Sequence, residues 1–495
     1  MIAVGLYARK SANSMTDFVL GGRSVGPWLS AFAYGTSYFS AVVFVGYAGQ
    51  FGWKYGLAST WIGLGNAVIG SLLAWVAMGR RTRVMTHHLE VATMPDFFGK
   101  RYDSNVLRVV ASAIAFVFMI PYTASVYNGL SRLFGMAFDI PYTVCVITMA
   151  VLTGVYVILG GYMATAINDF IQGIIMLFGI VAVIGAVLSG QGGFIEAVRK
   201  LSELPSDVPV TFGQQGAFAS FFGTDPLNLL GVIILTSLGT WGLPQMVHKF
   251  YAIKSEKAIK TGTIVSTFFA VIVSGGCYFL GGFGRLFDAP ELYKADGSMM
   301  YDAIIPAMLS TLPDILIGIV IILVLSASMS TLSSLVLTSA STLTLDFIKG
   351  NIVKDMDDKK QLIYIRVLIV FFIVVSVVLA LNPPTFIAQL MGISWGALAG
   401  AFLAPFLYGL YWKGVTRAGV WASFICGVGI TVSNMYFKFI ASPINAGAAA
   451  MIVGLIVTPA VSLLTPKINS SLVNKIFQCY DNTAKVSSKE YLKED

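Results

Sequence analysis

Apolar stretches near or above the ~20 residues a helix needs to cross the hydrocarbon core of a bilayer recur from Val25 to Leu464, separated by short charged segments. A chain built this way must satisfy its backbone inside lipid, and only helices or closed barrels do so. The period-2 alternation in ~10-residue segments that marks a membrane barrel is absent, so a bundle of spanning helices is predicted. Composition agrees: 56% of residues are hydrophobic, 11% are charged, and the mean hydropathy is +0.79. About twelve complete spans are expected, beginning near Val25, Gly56, Leu107, Ile140, Thr165, Leu227, Lys260, Pro313, Leu362, Thr385, Ala418 and Ala446.

The net charge of +8 reports orientation rather than a nucleic-acid partner, because the cations are scattered over loops. Arg80, Arg81, Arg83, Lys100 and Arg101 fall in one loop. Lys249, Lys254, Lys257 and Lys260, then Lys349, Lys354, Lys359 and Lys360, fall in later alternate loops. The positive-inside rule places these in the cytoplasm. Opposite loops hold few cations and more carboxylates, among them Asp207, Asp225, Asp288, Glu291 and Asp296. Four cysteines without metal-ligand spacing suggest no disulfide framework. His87, His88 and His248 sit in or beside basic loops without acidic or cysteine partners, so no catalytic constellation is expected and an enzyme is disfavoured. Met1–Tyr7 is apolar but too short to span and lacks the features of a signal peptide; it reads as a helix cut short.

Two spans are interrupted. The first contains Ala33-Tyr34-Gly35-Thr36-Ser37-Tyr38-Phe39-Ser40, and the sixth contains Ser237-Leu238-Gly239-Thr240-Trp241-Gly242-Leu243-Pro244. Proline lacks the N–H its helix needs and glycine eases unwinding, so both segments can free carbonyls at mid-membrane. The same residues serve equally for close packing or a kink. If spans one to five and six to ten form two halves, the breaks match in position, as in inverted-repeat transporters.

The eighth span carries Leu325-Ser326-Ala327-Ser328-Met329-Ser330-Thr331-Leu332-Ser333-Ser334. Ala327, Ser330, Thr331, Ser334 and Thr338 share one helical face. Uncharged oxygens suit a hard monovalent cation, by the preference that calcium and magnesium also show. They also suit helix-to-helix or back-to-backbone hydrogen bonds, and both readings stand. Asp169, inside the fifth span, is either a functional carboxylate or a helix cap near water.

At these residues the chain resembles the sodium/solute symporter family, which includes proline, pantothenate and sugar symporters. Further landmarks are Tyr156-Val157-Ile158-Leu159-Gly160-Gly161-Tyr162-Met163-Ala164, Asp17-Phe18 with Gly21-Gly22-Arg23, and Phe98-Gly99-Lys100-Arg101-Tyr102. The resemblance implies an all-α polytopic bundle of two inverted five-helix repeats with peripheral helices, the first of them truncated. Expected segments are a remnant of the leading helix and a loop (1–24), the first repeat (25–190), an outer segment (191–226), the second repeat (227–412), two peripheral spans (413–465) and a cytoplasmic tail (466–495).

The resemblance also implies a cell-membrane symporter importing a small organic solute on the sodium gradient. The main sodium site would be Thr36, Phe39, Ala327, Ser330 and Thr331. A second, nearer the cytoplasm, would use Asp169, Ser333 and Ser334, so one or two sodium ions are expected. Apart from lipid and solute, no protein partner is implied. Candidate solute-lining residues are Tyr34, Tyr38, Ser237, Thr240, Trp241 and Gln245, with Gln389 and Ser394 from the tenth span. An aromatic set with few polar groups fits an amino acid or monocarboxylate. Proline symporters carry aspartate where this chain has Tyr38, and the tryptophan and tyrosine they use for proline are Thr236 and Thr240 here; this points away from proline. The alternatives are a sodium/proline symporter proper, or a solute-sensing membrane protein with the same fold.

Overall fold

A computed structural model describes residues 2–9, 12, 14–138, 140–206, 215–349, 351–353 and 355–484. Asp207, Lys354 and the end of the tail (485–495) lie outside the described residues, as does the side chain of Glu291. Among the described residues there is no strand, only isolated bridges such as Val25 with Ile253.

Among the described residues nine helices are long and apolar enough to cross a membrane, and a tenth span is the pair Pro226–Gly242 and Pro244–Tyr251, bent by 45°. Two of the nine are compound. The helix Tyr142–Gly190 is cut by Gly161 (φ 53°, ψ −145°), which separates the fourth span (142–160) from the fifth (162–190). The stretch Val42–His88 is cut by Gly56 (φ 59°, ψ −141°), after which the second span runs over 57–88. Residues before Gly56 belong to the first span, whose other half is Pro27–Tyr38. Counted this way the described residues form twelve spans, in the sequence order expected. The remaining ones are Asn105–Phe138 (third), Glu256–Gly281 (seventh), Asp314–Ile348 (eighth), Asp358–Leu381 (ninth), Ile387–Tyr411 (tenth), Arg417–Phe437 (eleventh) and Pro443–Leu464 (twelfth). The leading apolar residues form a short helix, Ile2–Ala8, where Gly5 packs against the backbone of Tyr156.

Exposure follows the solvent. The ninth span presents Ile363, Val367, Val370, Phe371, Val374 and Val378 outward, as a lipid-facing helix must. The buried interior instead holds the first, sixth, eighth and tenth spans; Ser326–Thr342 is buried throughout. Such polar burial costs least where a hydroxyl finds a partner.

The landmark motifs outside the membrane core are structural ties. Arg23, itself in a left-handed conformation (φ 53°), donates to the carbonyl of Val91 at 2.6 Å. Arg101 donates to the carbonyls of Gly409 and Trp412 at 2.9 and 3.0 Å, and Tyr102 to that of Pro405 at 2.5 Å. They bind the cytoplasmic loops to one another and to the end of the tenth span. The outer segment carries a helix, Phe194–Glu203, that seats Ala197 and Leu201 on Phe218 and Phe283.

On the outer side, Asp302 accepts from the backbone N–H of Ile387 at 3.3 Å, at the start of the tenth span. Burial raises its carboxyl above the ordinary value of 3.8. The folded protein therefore holds this proton more tightly than the unfolded chain, and the stability associated with it is lost as pH rises from 3.8 through the raised value. Asp302→Asn keeps the acceptor and removes the titration. Thermal unfolding between pH 4 and 7 is expected to be less pH-dependent in the variant than in the parent.

Candidate functional site

The two broken spans meet the eighth at the centre of the bundle. Pro27–Tyr38 stops because Phe39 is extended (φ −111°, ψ 122°), and the helix resumes at 42–55. The sixth span stops at Leu243 (φ −85°, ψ 120°), directly before Pro244. Both breaks thus leave the final carbonyls of a helix without intrahelical partners. In the sixth span the break lies where the sequence placed it. In the first it falls at Phe39, within the interrupted segment Ala33–Ser40. Gly35 is instead a packing glycine: a Cβ there would stand 2.7 Å from the ring of Phe269.

Against the first break lies the hydroxyl face of the eighth span. Ser330 donates to the Thr36 hydroxyl at 2.8 Å, which in turn donates to the carbonyl of Phe32. The Thr331 hydroxyl lies 3.3 Å from the Ser37 carbonyl and 3.2 Å from that of Ala327. Ser328 accepts the N–H of Ala41 at 3.1 Å, capping the second half of the broken span. Thr36, Ala327, Ser330 and Thr331 are therefore neighbours, and they and Phe39, at the first break, are fully or almost fully buried. They put neutral oxygens from two distant stretches of chain into one place. That donor set fits an alkali cation, since hard ions take oxygen ligands and no buried carboxylate need be neutralised.

The second set is divided. Ser334 bonds Ser37 at 2.8 Å, but Ser333 turns back to the carbonyl of Ser330 at 2.8 Å. Asp169, wholly buried, faces Lys249 at 3.7 Å. The sequence reading assigned Lys249 to a cytoplasmic loop; it stands instead in the last turn of Pro244–Tyr251 with its side chain 2% exposed. His248, also read as a loop residue, is buried between the rings of Tyr162 and Tyr251. A second buried carboxylate is Asp346, held by Thr93 at 2.5 Å at the cytoplasmic end of the eighth span. Both oversights have one origin: the sixth span, bent at Leu243, remains inside the protein for a full two turns after Pro244.

Of the proposed solute-lining residues, five come together around one stretch of the second span. Its segment Asn66–Leu73 is wound as a π-helix, a geometry common at functional sites. The carbonyl of Gly70 accepts from Tyr34 at 2.7 Å and from Thr240 at 3.1 Å; the carbonyl of Ile69 accepts from the Trp241 indole at 3.0 Å. Ser237 bonds the Asn66 side chain at 3.1 Å. Tyr38 donates to the carbonyl of Thr236 and stacks on Trp395 at 6.1 Å. Gln245 is buried in the first turn after the sixth-span break. Gln389 and Ser394 are elsewhere: Gln389 pairs with Thr385 and lines an outer cavity, while Ser394 is turned to the carbonyl of Phe118.

Asn66, Gly70 and Trp395 were not picked out from sequence. The signal for Asn66 and Gly70 was available, in an amide and a glycine within an otherwise apolar span.

The outer cavity, of about 710 Å³, opens on the side opposite the lysine-rich loops. Gln50, Lys54, Asn228, Arg285, Gln389 and Asn445 give it its polar character, and Phe51 and Val232 its apolar part. Val232 stands one turn above Thr236, whose carbonyl holds Tyr38. The central cluster is thus closed beneath a cationic antechamber.

Comparison with known proteins places the chain in a family. The model of the Sodium:solute symporter family matches residues 18–427. The sodium/proline symporters of several Staphylococcus aureus strains, JH9 and USA300 among them, are 30% identical over 486 residues, covering 94% of this chain and 91% of theirs. In structure, a Na+-coupled sialic acid symporter in a substrate-bound outward-open state superposes with a TM-score of 0.76 at 16% identity, covering 94% of this chain and 96% of its own. A nucleobase-cation-symport-1 family transporter in a closed conformation, with bromovinylhydantoin bound, gives 0.52 at 13% identity over 94% and 98%. The family match spans both breaks and the hydroxyl face of the eighth span. The chain belongs to the sodium:solute symporter family, as a multi-pass plasma-membrane protein that moves a small solute on the sodium gradient.

Proposed function

We infer that the solute is a small amino acid or monocarboxylate, bound among Tyr34, Tyr38, Ser237, Thr240 and Trp241. The coupling sodium is held by Thr36, Phe39, Ala327, Ser330 and Thr331. The observation that carries this reading is the direct hydrogen bond between Ser330 and Thr36, which joins the hydroxyl face of the eighth span to the break in the first. Sodium between these two spans favours the arrangement in which they touch. Tyr34 and Tyr38 on the same broken helix then keep the position the solute requires. Closure over solute and rocking of one helix group against the other deliver both to the cytoplasm. The antechamber with Lys54 and Arg285 would concentrate an anionic or carboxylate-bearing solute at the mouth.

A second reading, sodium/proline symport, is favoured by the names of the Staphylococcus aureus relatives. The residues oppose it at Tyr38, whose ring fills the space between Phe39 and Trp395. Proteoliposomes with an imposed sodium gradient, offered a labelled panel of small amino acids, proline and short monocarboxylates, decide between the two. We expect saturable, sodium-dependent uptake of a non-proline member of the panel. Uptake of proline alone would establish the second reading, and sodium-independent uptake would refute both.

A further inference from the structure

We propose that the Lys249 ammonium is a built-in cation occupying the position of a second sodium ion, so that this chain binds a single sodium per transport cycle. The proposal rests on the reading of the main site given above and narrows its stoichiometry.

The ammonium is held from three helices. Its own, Pro244–Tyr251, carries it into the bundle. The eighth span offers the Ser334 hydroxyl at 2.9 Å, and the fifth offers the Asp169 carboxylate at 3.7 Å and the face of the Tyr162 ring at 5.2 Å. Lys249 and Asp169 are 2% and 0% exposed at their side chains, so solvent screening is minimal. A carboxylate, a hydroxyl and an aromatic face are what a buried monovalent cation requires. Ser334 and Asp169 are two of the three residues that would form the second sodium site; here both are turned to the lysine. The third, Ser333, points its hydroxyl to the carbonyl of Ser330.

Charge argues for a single cation. Two like charges some 4 Å apart repel strongly even at an effective dielectric of 20, enough to weaken a sodium ion beside the ammonium by roughly a thousandfold. The tethered cation also remains linked to the main site. Ser334 bonds Ser37, and the carbonyl of Ser37 lies against Thr331. Lysine therefore fixes at Ser334 what a second ion would otherwise fix only when bound, and no second sodium gradient step is spent on it.

The test is a count of bound ions on the purified full-length protein, using radiolabelled sodium at saturating concentration. One sodium per chain is expected for the parent. Lys249→Ala, which empties the position but keeps Asp169 and Ser334, is expected to bind two; the double variant Lys249→Ala with Asp169→Asn is expected to return to one. Two sodium ions in the parent would overturn the proposal while leaving symport intact, and none would overturn the main site with it. One ion in both the parent and a folded Lys249→Ala would also overturn it. Should Lys249→Ala fail to fold, Asp169→Asn alone decides: a count of one in both it and the parent fits the lysine, whereas a fall from two to one on that substitution shows that Asp169 holds an ion.

Discussion

Replacing Ser330 or Thr331 by alanine is expected to raise the sodium concentration for half-maximal uptake by roughly 10–100-fold in each case. An interaction with a charged group is worth about 1.5–3 kcal/mol, and each 1.4 kcal/mol is tenfold. Both hydroxyls belong to the proposed ligand set and both touch the broken first span, Ser330 through Thr36 and Thr331 through the Ser37 carbonyl. Because binding of sodium and solute are linked, solute affinity at low sodium should fall in step. Ser341 is the control. It lies on the same helix but gives its hydroxyl to the carbonyl of Leu337 at 2.6 Å, so Ser341→Ala should leave the sodium response unchanged. Uptake into proteoliposomes across a sodium series checks all three.

A large loss of stability in the folded protein is expected for Gly161→Ala. Gly161 turns the chain between the fourth and fifth spans at φ 53°, ψ −145°, a region open to glycine almost alone. An alanine Cβ would also lie 2.5 Å from the carbonyl oxygen of Phe18 and 2.9 Å from its ring. Backbone strain of ~1–3 kcal/mol and overpacking of a similar size add to about 2–6 kcal/mol. A loss on that scale should lower the apparent melting temperature in detergent markedly and reduce membrane yield. Gly185→Ala, in the same fifth span with nothing within 4 Å of the added carbon, should be neutral or mildly stabilising by about 0.5–1 kcal/mol. The contrast gives a physical reason for the paired glycine of the landmark Gly160-Gly161: its second member is the hinge that lets one long helical run cross the membrane twice, and its first lies against the carbonyl of Gly5.

The number and order of spans were readable from sequence because hydropathy reports directly on the lipid environment. So were the hydroxyl face of the eighth span, a matter of helical period, and the break before Pro244, where the missing N–H is local chemistry. The first break was readable to within the segment Ala33–Ser40, but not to the residue: the chain turns at Phe39, while Gly35 admits Phe269, more than two hundred positions away. Lys249 was misplaced for a similar reason. A lysine twenty-odd residues into a span normally marks its exit, and only the bend at Leu243 and the waiting carboxylate of Asp169 keep it inside. Gln389 and Ser394 sit on the expected helix but face the antechamber and the third span. The side a helical residue faces depends on which neighbours surround it, and a single sequence does not state that.

A high-resolution structure of the protein prepared in sodium, compared with one prepared in choline, tests the central claim most directly. The account predicts sodium-dependent density bounded by the carbonyls of Thr36, Phe39 and Ala327 and the hydroxyls of Ser330 and Thr331. Identical maps in the two salts at that position, in a protein that still transports on a sodium gradient, would contradict it.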